Sequence, residues 1–141
     1  YQLVDLFFFV FPYTSGTTAS DALWAGCPLL TLVGRTMVAR MAGSLVKAAG
    51  LPEMISYSID EYVARAVHYA SHPEELAALR RRLIEQRFKL PLFDTERFVR
   101  DLESAYIQIA HQSWAGKELT SIQINADEKN FSMKDYHGSQ T

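Results

Sequence analysis

The sequence predicts an α/β fold in which parallel strands alternate with helices. Three observations lead to this prediction: short apolar runs end at proline or glycine, helical patterns follow them, and the two kinds of segment alternate along the chain. Such alternation is typical of a parallel sheet with helices packed on it. Because three strands make a poor free-standing sheet, we expect the C-terminal half of a Rossmann-like domain, followed by further helices.

Three short segments are the predicted strands. Residues 5–11 are aromatic and apolar without alternation, as in a strand that is buried on both faces, and Pro12 closes the run. A strand of this kind normally has a neighbour on each side. Residues 29–33 form a second apolar run that turns at Gly34, and residues 53–56 form a weaker third one.

The predicted helices cover residues 19–25, 36–49, 59–71, 73–88 and 96–114. Thr18 and Asp21 have the spacing of a capping box at the start of the first helix. Ser58 and Glu61 repeat this spacing at the start of the third helix. Gly26 is expected to end the first helix in the left-handed conformation.

The sequence pattern changes after the last predicted helix. Apolar residues recur at helical spacing along that helix, at Phe98, Leu102, Tyr106 and Ile109. We predict that residues 1–116 form a partial lobe and that residues 117–141, which lack sustained periodicity, form a tail. The chain starts without methionine and enters a strand almost at once, so we expect further residues upstream of Tyr1.

The composition argues against several classes of protein. The chain has 141 residues and a mass of 16.0 kDa, with 48% hydrophobic and 21% charged residues, which fits a globular core. The net charge of −2 gives no bulk attraction to nucleic acid or to an anionic membrane. The single cysteine, Cys27, allows no internal disulfide and favours a reduced, cytoplasmic protein. The longest apolar run, residues 6–11, is far shorter than the roughly 20 residues that span a bilayer.

The polar loop after the first predicted strand is the candidate binding site. It reads Ser15-Gly16-Thr17-Thr18-Ala19-Ser20-Asp21 and opens the first helix. Ligands of α/β sheets bind at the carboxyl ends of strands, where a helix N-terminus offers unpaired N–H groups to phosphate. Gly16 would let the backbone approach a diphosphate, and Asp21 could accept a hydrogen bond from a ribose hydroxyl. The alternative, which the spacing alone favours, is simple helix capping by Thr18 and Asp21.

The histidines and the arginine run are interpreted as structural or solvent-facing. His68 and His72 are four residues apart, but Pro73 ends their helix and no third ligand is expected near them. We therefore predict no metal site. The three arginines at residues 80–82 point in different directions on a helix, which favours a solvated face over an RNA site.

Four other residues could be structural or functional. Cys27 could be a reactive thiol, but we predict that it is a small buried hydrophobic residue. Trp24 is predicted to pack between the first helix and the sheet. Tyr13 could stack on a nucleotide base or pack on its own strand. Arg40 could face the ligand edge of the sheet, but a structural ion pair is favoured.

Several segments resemble the C-terminal catalytic lobe of O-GlcNAc transferases, in particular bacterial relatives that carry tetratricopeptide repeats. The most specific segment, residues 16–28, combines a phosphate-type turn with a distinctive helix in the run Thr17-Thr18-x-x-Asp21-Ala22-Leu23-Trp24-Ala25-Gly26. The other similar segments are residues 5–7, 11–13, 30–32, 39–45 and 91–94. The resemblance extends over residues 3–109.

The resemblance implies a GT-B glycosyltransferase, with two Rossmann-like lobes and the active site between them. The C-terminal lobe would bind a UDP-sugar, UDP-N-acetylglucosamine, with no metal or other cofactor. The acceptor would be a serine or threonine of a protein. By the same resemblance, Thr17 and Thr18 contact the diphosphate beside Gly16, and Asp21 contacts the ribose. The implied partners are the acceptor protein, an N-terminal lobe and tetratricopeptide repeats, and no catalytic base is placed on this chain.

The sequence departs from the family pattern at the first strand and at the loop that follows it. Phe8-Phe9-Val10 stands where members commonly have Leu-Asp-Thr, and Gly16 stands where many have a histidine before the paired threonines. These departures keep two alternatives open. One is a catalytically degenerate GT-B-like scaffold or protein-interaction module. The other is a GT-B enzyme with a non-protein acceptor, such as a lipid or a glycan.

Overall fold

The computed structural model describes residues 1, 3–9, 11–118 and 120–124. They fall into two compact units, which divide between Asp94 and Thr95. The predicted division into residues 1–116 and 117–141 stays a prediction, and much of that tail lies outside the described residues.

The first unit is built on a parallel sheet of three strands in the order β1, β2, β3. The strands are β1 (Phe7–Phe8), β2 (Leu29–Leu32) and β3 (Ile55–Ser56). In register, Phe7 lies opposite Leu29, and Thr31 lies opposite Ile55. The α/β fold class with parallel strands is confirmed.

The position of β1 differs from the prediction. It is an edge strand that pairs only with β2 among the described strands, and the side chain of Phe8 is 48% exposed. The expectation of a strand that is buried on both faces with two neighbours is therefore wrong within the described chain. Burial on both faces is found instead at β2, the central strand, where Leu29 and Leu30 are fully buried.

The helices of the first unit are α1 (Thr17–Trp24), α2 (Met41–Ala48), α3 (Ile59–Ser71) and α4 (Pro73–Gln86). The core forms where the helices meet the sheet, and it includes Leu23 from α1, Val46 from α2 and Leu83 from α4. Gly43 in α2 allows close packing on the sheet side, because a Cβ there would lie 2.7 Å from Val33 Cγ2.

The predicted starts of the first two helices are wrong, whereas those of α3 at Ile59 and α4 at Pro73 are confirmed. The first helix starts at Thr17 with Gly16 as its N-cap, so Thr18 lies inside the helix and the predicted box with Asp21 does not form. The second helix starts at Met41 rather than residue 36, because the preceding residues form turns in which Thr36 Oγ1 accepts from Ala39 N–H at 3.4 Å. The box at α3 does form: the Ser58 hydroxyl accepts from Glu61 N–H at 3.2 Å.

The second unit contains α5 (Thr95–Trp114), a helix of 20 residues. None of its residues is buried. Its predicted apolar stripe is exposed, with the side chains of Phe98 and Tyr106 at 62% and 63% exposure. No helix in the described part of the chain is both long enough and apolar enough to cross a membrane.

Candidate functional site

A cavity of about 730 Å³ opens at the carboxyl edge of the sheet, between the N-terminal ends of α1 and α2. Both helices begin at this edge because each follows a parallel strand. The cavity is lined by Gly16, Thr17, Ser20, Asp21, Met37, Arg40, Met41, Ser44 and Leu45. This is the place at which the sequence predicts a binding loop.

The structure brings three of the four predicted site residues to the cavity. Thr17 and Asp21 are one helical turn apart and lie on the same face of α1, with Gly16 just before them. Thr18 is not part of the lining. It is exposed, and it follows Thr17 by one position, which turns its side chain by about 100° around the helix.

The first turn of α1 offers backbone donors. No side chain caps this helix, and its first backbone hydrogen bond runs from Ser20 N–H to Gly16 C=O at 3.0 Å. The N–H groups of Thr17, Thr18 and Ala19 therefore precede the intrahelical ladder, as at any uncapped helix start. Together with the positive end of the helix dipole, they suit an anion such as a diphosphate. Thr18 can thus serve the site through its backbone.

Thr14 organises the binding loop, although no sequence motif marks it. Its side chain is fully buried. Its hydroxyl donates to Val38 C=O at 2.8 Å and accepts from Ala42 N–H at 3.3 Å, so it ties the loop to the first turn of α2. The next residue, Ser15, adopts a left-handed backbone with φ of 65°. The sequence carries no signal for these contacts, because the partners lie 24 and 28 residues away.

The rest of the cavity lining includes a positively charged side chain and an apolar wall. Arg40 is exposed and makes no ion pair with any described residue, so the predicted structural ion pair is wrong for this part of the chain. Its alternative placement at the ligand edge is the one observed. Met37, Met41 and Leu45 supply an apolar wall. A ligand with both an anionic and an apolar part would match these two surfaces.

Comparison with known proteins identifies the family of this site. Residues 2–102 match the model of Glycosyl transferase family 41. The chain belongs to this family.

Named relatives support the same assignment to family 41. The chain is 38% identical over 116 residues to a protein of Arabidopsis thaliana named probable UDP-N-acetylglucosamine–peptide N-acetylglucosaminyltransferase SEC. It is 35% identical over 130 residues to the SPINDLY protein of Hordeum vulgare, which carries the same enzyme name. These alignments cover 82% and 91% of this chain but only 12% and 14% of the relatives, so the chain spans a small part of their length.

A solved structure shares the fold. A mutant of the Thermobaculum terrenum O-GlcNAc transferase matches with a TM-score of 0.75 and 32% identity. The match covers 80% of this chain and 22% of that one. The expected assignment to the O-GlcNAc transferase family and its GT-B fold is therefore confirmed.

The two segments at which we expect a departure from the family pattern differ in their structural surroundings. At Gly16, an added Cβ would lie 2.8 Å from Met41 Cε, the far end of a flexible side chain. A larger residue at this position would therefore require Met41 to move. Phe9 is half-buried, its ring lies 4.9 Å from that of Phe7, and its carbonyl accepts from the Tyr62 hydroxyl at 3.2 Å. Val10 lies outside the described residues.

The predicted environment is found for Cys27 but not for Trp24. Cys27 is fully buried, and burial raises the pKa of its thiol, so the predicted role of a small buried hydrophobic residue is confirmed. Trp24 is 43% exposed instead of lying between helix and sheet. Its ring packs edge-on against Phe88 and Phe93, and the Arg87 guanidinium lies 4.6 Å from the ring centroid.

Tyr13 is exposed to solvent, whereas two of the three arginines at residues 80–82 contact other parts of the chain. Tyr13 is 60% exposed, and its role in stacking on a base stays a prediction. The arginine run at residues 80–82 is more than a solvated face. Arg80 donates to the Tyr1 carbonyl at 3.3 Å, and Arg82 pairs with Glu53.

The expectation that no third ligand lies near His68 and His72 is wrong. Glu75, three residues further along, brings a carboxylate oxygen to 2.9 Å from His68 Nε2. One donor atom from each of the three residues lies within 4.8 Å of the others. The spacing of four and then three residues is the sequence signal that could have identified this cluster.

Proposed function

We propose that this chain is the donor-binding part of a glycosyltransferase that moves N-acetylglucosamine from UDP-N-acetylglucosamine to serine or threonine residues of proteins. The observation that carries the proposal is the cavity at the start of α1, where Gly16, Thr17 and Asp21 meet in a member of family 41. The enzyme names of the relatives supply the donor and the peptide acceptor.

In this proposal the diphosphate lies at the uncapped start of α1. Backbone N–H groups and the Thr17 hydroxyl donate to its oxygens, and the positive end of the helix dipole offsets its charge without a metal. Asp21 accepts from the ribose. These fixed dipoles stabilise the negative charge that develops on UDP as the bond between the sugar and the phosphate breaks.

The rest of the reaction uses groups that this chain does not supply. An acceptor hydroxyl attacks the anomeric carbon, UDP leaves, and a base elsewhere in the enzyme takes the hydroxyl proton. An N-terminal lobe would supply the acceptor side, and tetratricopeptide repeats would present the protein substrate. The single, buried Cys27 supports a cytoplasmic location for the enzyme.

Nucleotide binding by the full-length protein tests the site. Asp21→Ala combined with Thr17→Ala should weaken UDP binding by at least about tenfold in isothermal titration calorimetry, since two polar contacts are lost. Thr18→Ala should weaken binding less, because its side chain is not part of the cavity lining. If Thr18→Ala alone removes binding, Thr18 and not Thr17 supplies the hydroxyl.

Two matched substitutions control for general effects on the protein. Asp60→Ala removes an exposed aspartate from the first turn of α3, and Thr95→Ala removes the first residue of α5. Neither residue lines the cavity, so both variants should bind UDP as the wild type does. Equal binding by the double variant and its controls would contradict the site assignment.

A scaffold role is a second candidate because Gly16 places no side chain at the start of α1. This alternative predicts that the full-length protein neither hydrolyses UDP-N-acetylglucosamine nor transfers its sugar, even where UDP binds. A GT-B enzyme with a lipid or glycan acceptor would instead consume the donor with that acceptor and not with protein. Release of UDP measured with each acceptor separates the three cases.

A further inference from the structure

We propose that His68, His72 and Glu75 form a binding site for a transition-metal dication of the Zn²⁺ class at the junction of α3 and α4. Two imidazole nitrogens and one carboxylate oxygen are a donor set that zinc takes in proteins, with a fourth position left for water. The three donor atoms lie within 4.8 Å of one another. This site is separate from the donor cavity, which none of the three residues lines.

The distances in the cluster are close to those that zinc requires. Bonds of about 2.0–2.2 Å in a tetrahedral arrangement place two ligand atoms about 3.3 Å apart. The distance between His68 Nε2 and Glu75 Oε2 is 2.9 Å, and all three ligand atoms lie within 4.8 Å of one another. Binding of a common ion would therefore require side-chain movements and no movement of the helices over long distances.

A hydrogen bond of the His72 ring leaves its other nitrogen available to bind a metal ion. Its Nδ1–H donates to the carbonyl of His68 at 2.8 Å, so the lone pair of the neutral ring is on Nε2. A hydrogen bond from one ring nitrogen to a carbonyl oxygen is the usual support of a metal-ligating histidine. The rings of His68 and His72 are stacked with centroids 4.2 Å apart, so both imidazoles lie on the same side of the junction, and binding of one ion by both requires the rings to tilt apart.

The backbone fixes the junction that carries the three side chains. His72 separates α3 from α4, and Pro73 is the first residue of α4. Glu75 N–H donates to His72 C=O at 3.1 Å, which sets the first turn of α4 relative to His72. A bound ion would link the last turn of α3 to the first turn of α4.

Charge and access at the junction also suit a cation. The side chains of His68 and Glu75 are 46% and 47% exposed, so an ion can enter from solvent. Arg65, one turn before His68, is engaged by Glu61 at 2.6 Å. Glu74, next to the cluster, adds a second acidic residue to the first turn of α4.

Calorimetric titration of the full-length protein with Zn²⁺, prepared without a polyhistidine tag, tests the site. We expect one bound zinc equivalent that His72→Gln and Glu75→Gln each weaken by at least about tenfold, as loss of a direct ligand should cost no less than loss of a supporting group. Glu74→Gln and His111→Gln, which lie outside the cluster, should leave it unchanged. Binding that none of these substitutions alters, or no binding at all, would overturn the proposal.

Absorption spectroscopy with Co²⁺ provides a second measurement that is independent of calorimetry. Bound at this site, it should show the visible absorption of a low-coordinate nitrogen–oxygen complex, and His72→Gln should remove that absorption. The side chains are on the surface, so circular dichroism of metal-free variants should match the wild type. Unchanged Co²⁺ absorption in His72→Gln would exclude His72 as a ligand. Binding of UDP involves other residues, so its outcome neither supports nor weakens the metal site.

Discussion

Two buried threonines differ in whether their hydroxyl groups are hydrogen-bonded. Thr14 and Thr31 are both fully buried. The hydroxyl of Thr14 makes two hydrogen bonds, whereas that of Thr31 has no partner among the described residues. A buried hydroxyl stabilises a protein only when it is bonded, because it gives up its bonds to water on folding.

Thr→Val at these positions should therefore change stability in opposite directions. Thr14→Val should lower the free energy of unfolding by about 1–3 kcal/mol, since it leaves Val38 C=O and Ala42 N–H without this partner. Thr31→Val should raise it by about 1 kcal/mol, since a methyl group replaces an unpartnered hydroxyl of the same shape. Urea titration of both variants measures the two changes. Thr18→Val, at an exposed position on α1, is the control and should stay within about 0.5 kcal/mol of the wild type.

At the scale of elements, the starts of α1 and α3 explain why one capping pattern formed and the other did not. At α3, Ser58 accepts from Glu61 N–H, and the Glu61 carboxylate accepts from Tyr57 N–H at 2.8 Å. At α1, the helix begins one residue before Thr18, so that residue cannot be the N-cap. As a result, no side chain caps the first turn of α1, whereas at α3 the Glu61 N–H is bonded by the Ser58 hydroxyl.

The stability of the start of α3 depends on pH through the pKa of Glu61. The hydrogen bond from Tyr57 N–H lowers this pKa below its ordinary value, and the hydrogen bonds from Arg65 lower it further. Because the pKa is lower in the folded state than in the unfolded state, the stabilisation is present at neutral pH. It is lost as the pH falls through the folded-state value.

Glu61→Gln should therefore be less stable than the wild type at neutral pH, and the difference should shrink in acid. Urea midpoints measured from about pH 7 down to about pH 3 would show this convergence. Glu74→Gln, at the first turn of α4 and without a hydrogen bond to any described residue, is the matched control. A gap between wild type and Glu61→Gln that stays constant with pH would contradict the role given to the carboxylate.

At the scale of the whole molecule, the sheet has an open edge at β1, and α5 exposes apolar side chains. β1 is an edge strand of two residues, and α5 has no buried residue. Relatives of this chain are several times longer, since it covers 12% and 14% of two of them. An unpaired strand edge and exposed apolar side chains favour association.

We therefore expect this 141-residue chain, produced alone, to be poorly soluble or to associate. Size-exclusion chromatography with light scattering should give a mass above the 16.0 kDa of one chain, or little soluble protein. A monodisperse species of 16.0 kDa would contradict the interpretation of the chain as half of a lobe. The same measurement on the full-length protein is the comparison.

The sequence by itself determined the alternation of strands and helices and the family, because apolar runs, breakers and the residues 16–28 segment are local patterns. Only the tertiary structure decided which side chains reach the cavity. Successive side chains on α1 point about 100° apart, and the packing of this helix beside α2 places Thr17 at the cavity and Thr18 away from it. Thr14 reaches partners 24 and 28 residues away, and packing rather than local sequence sets such contacts.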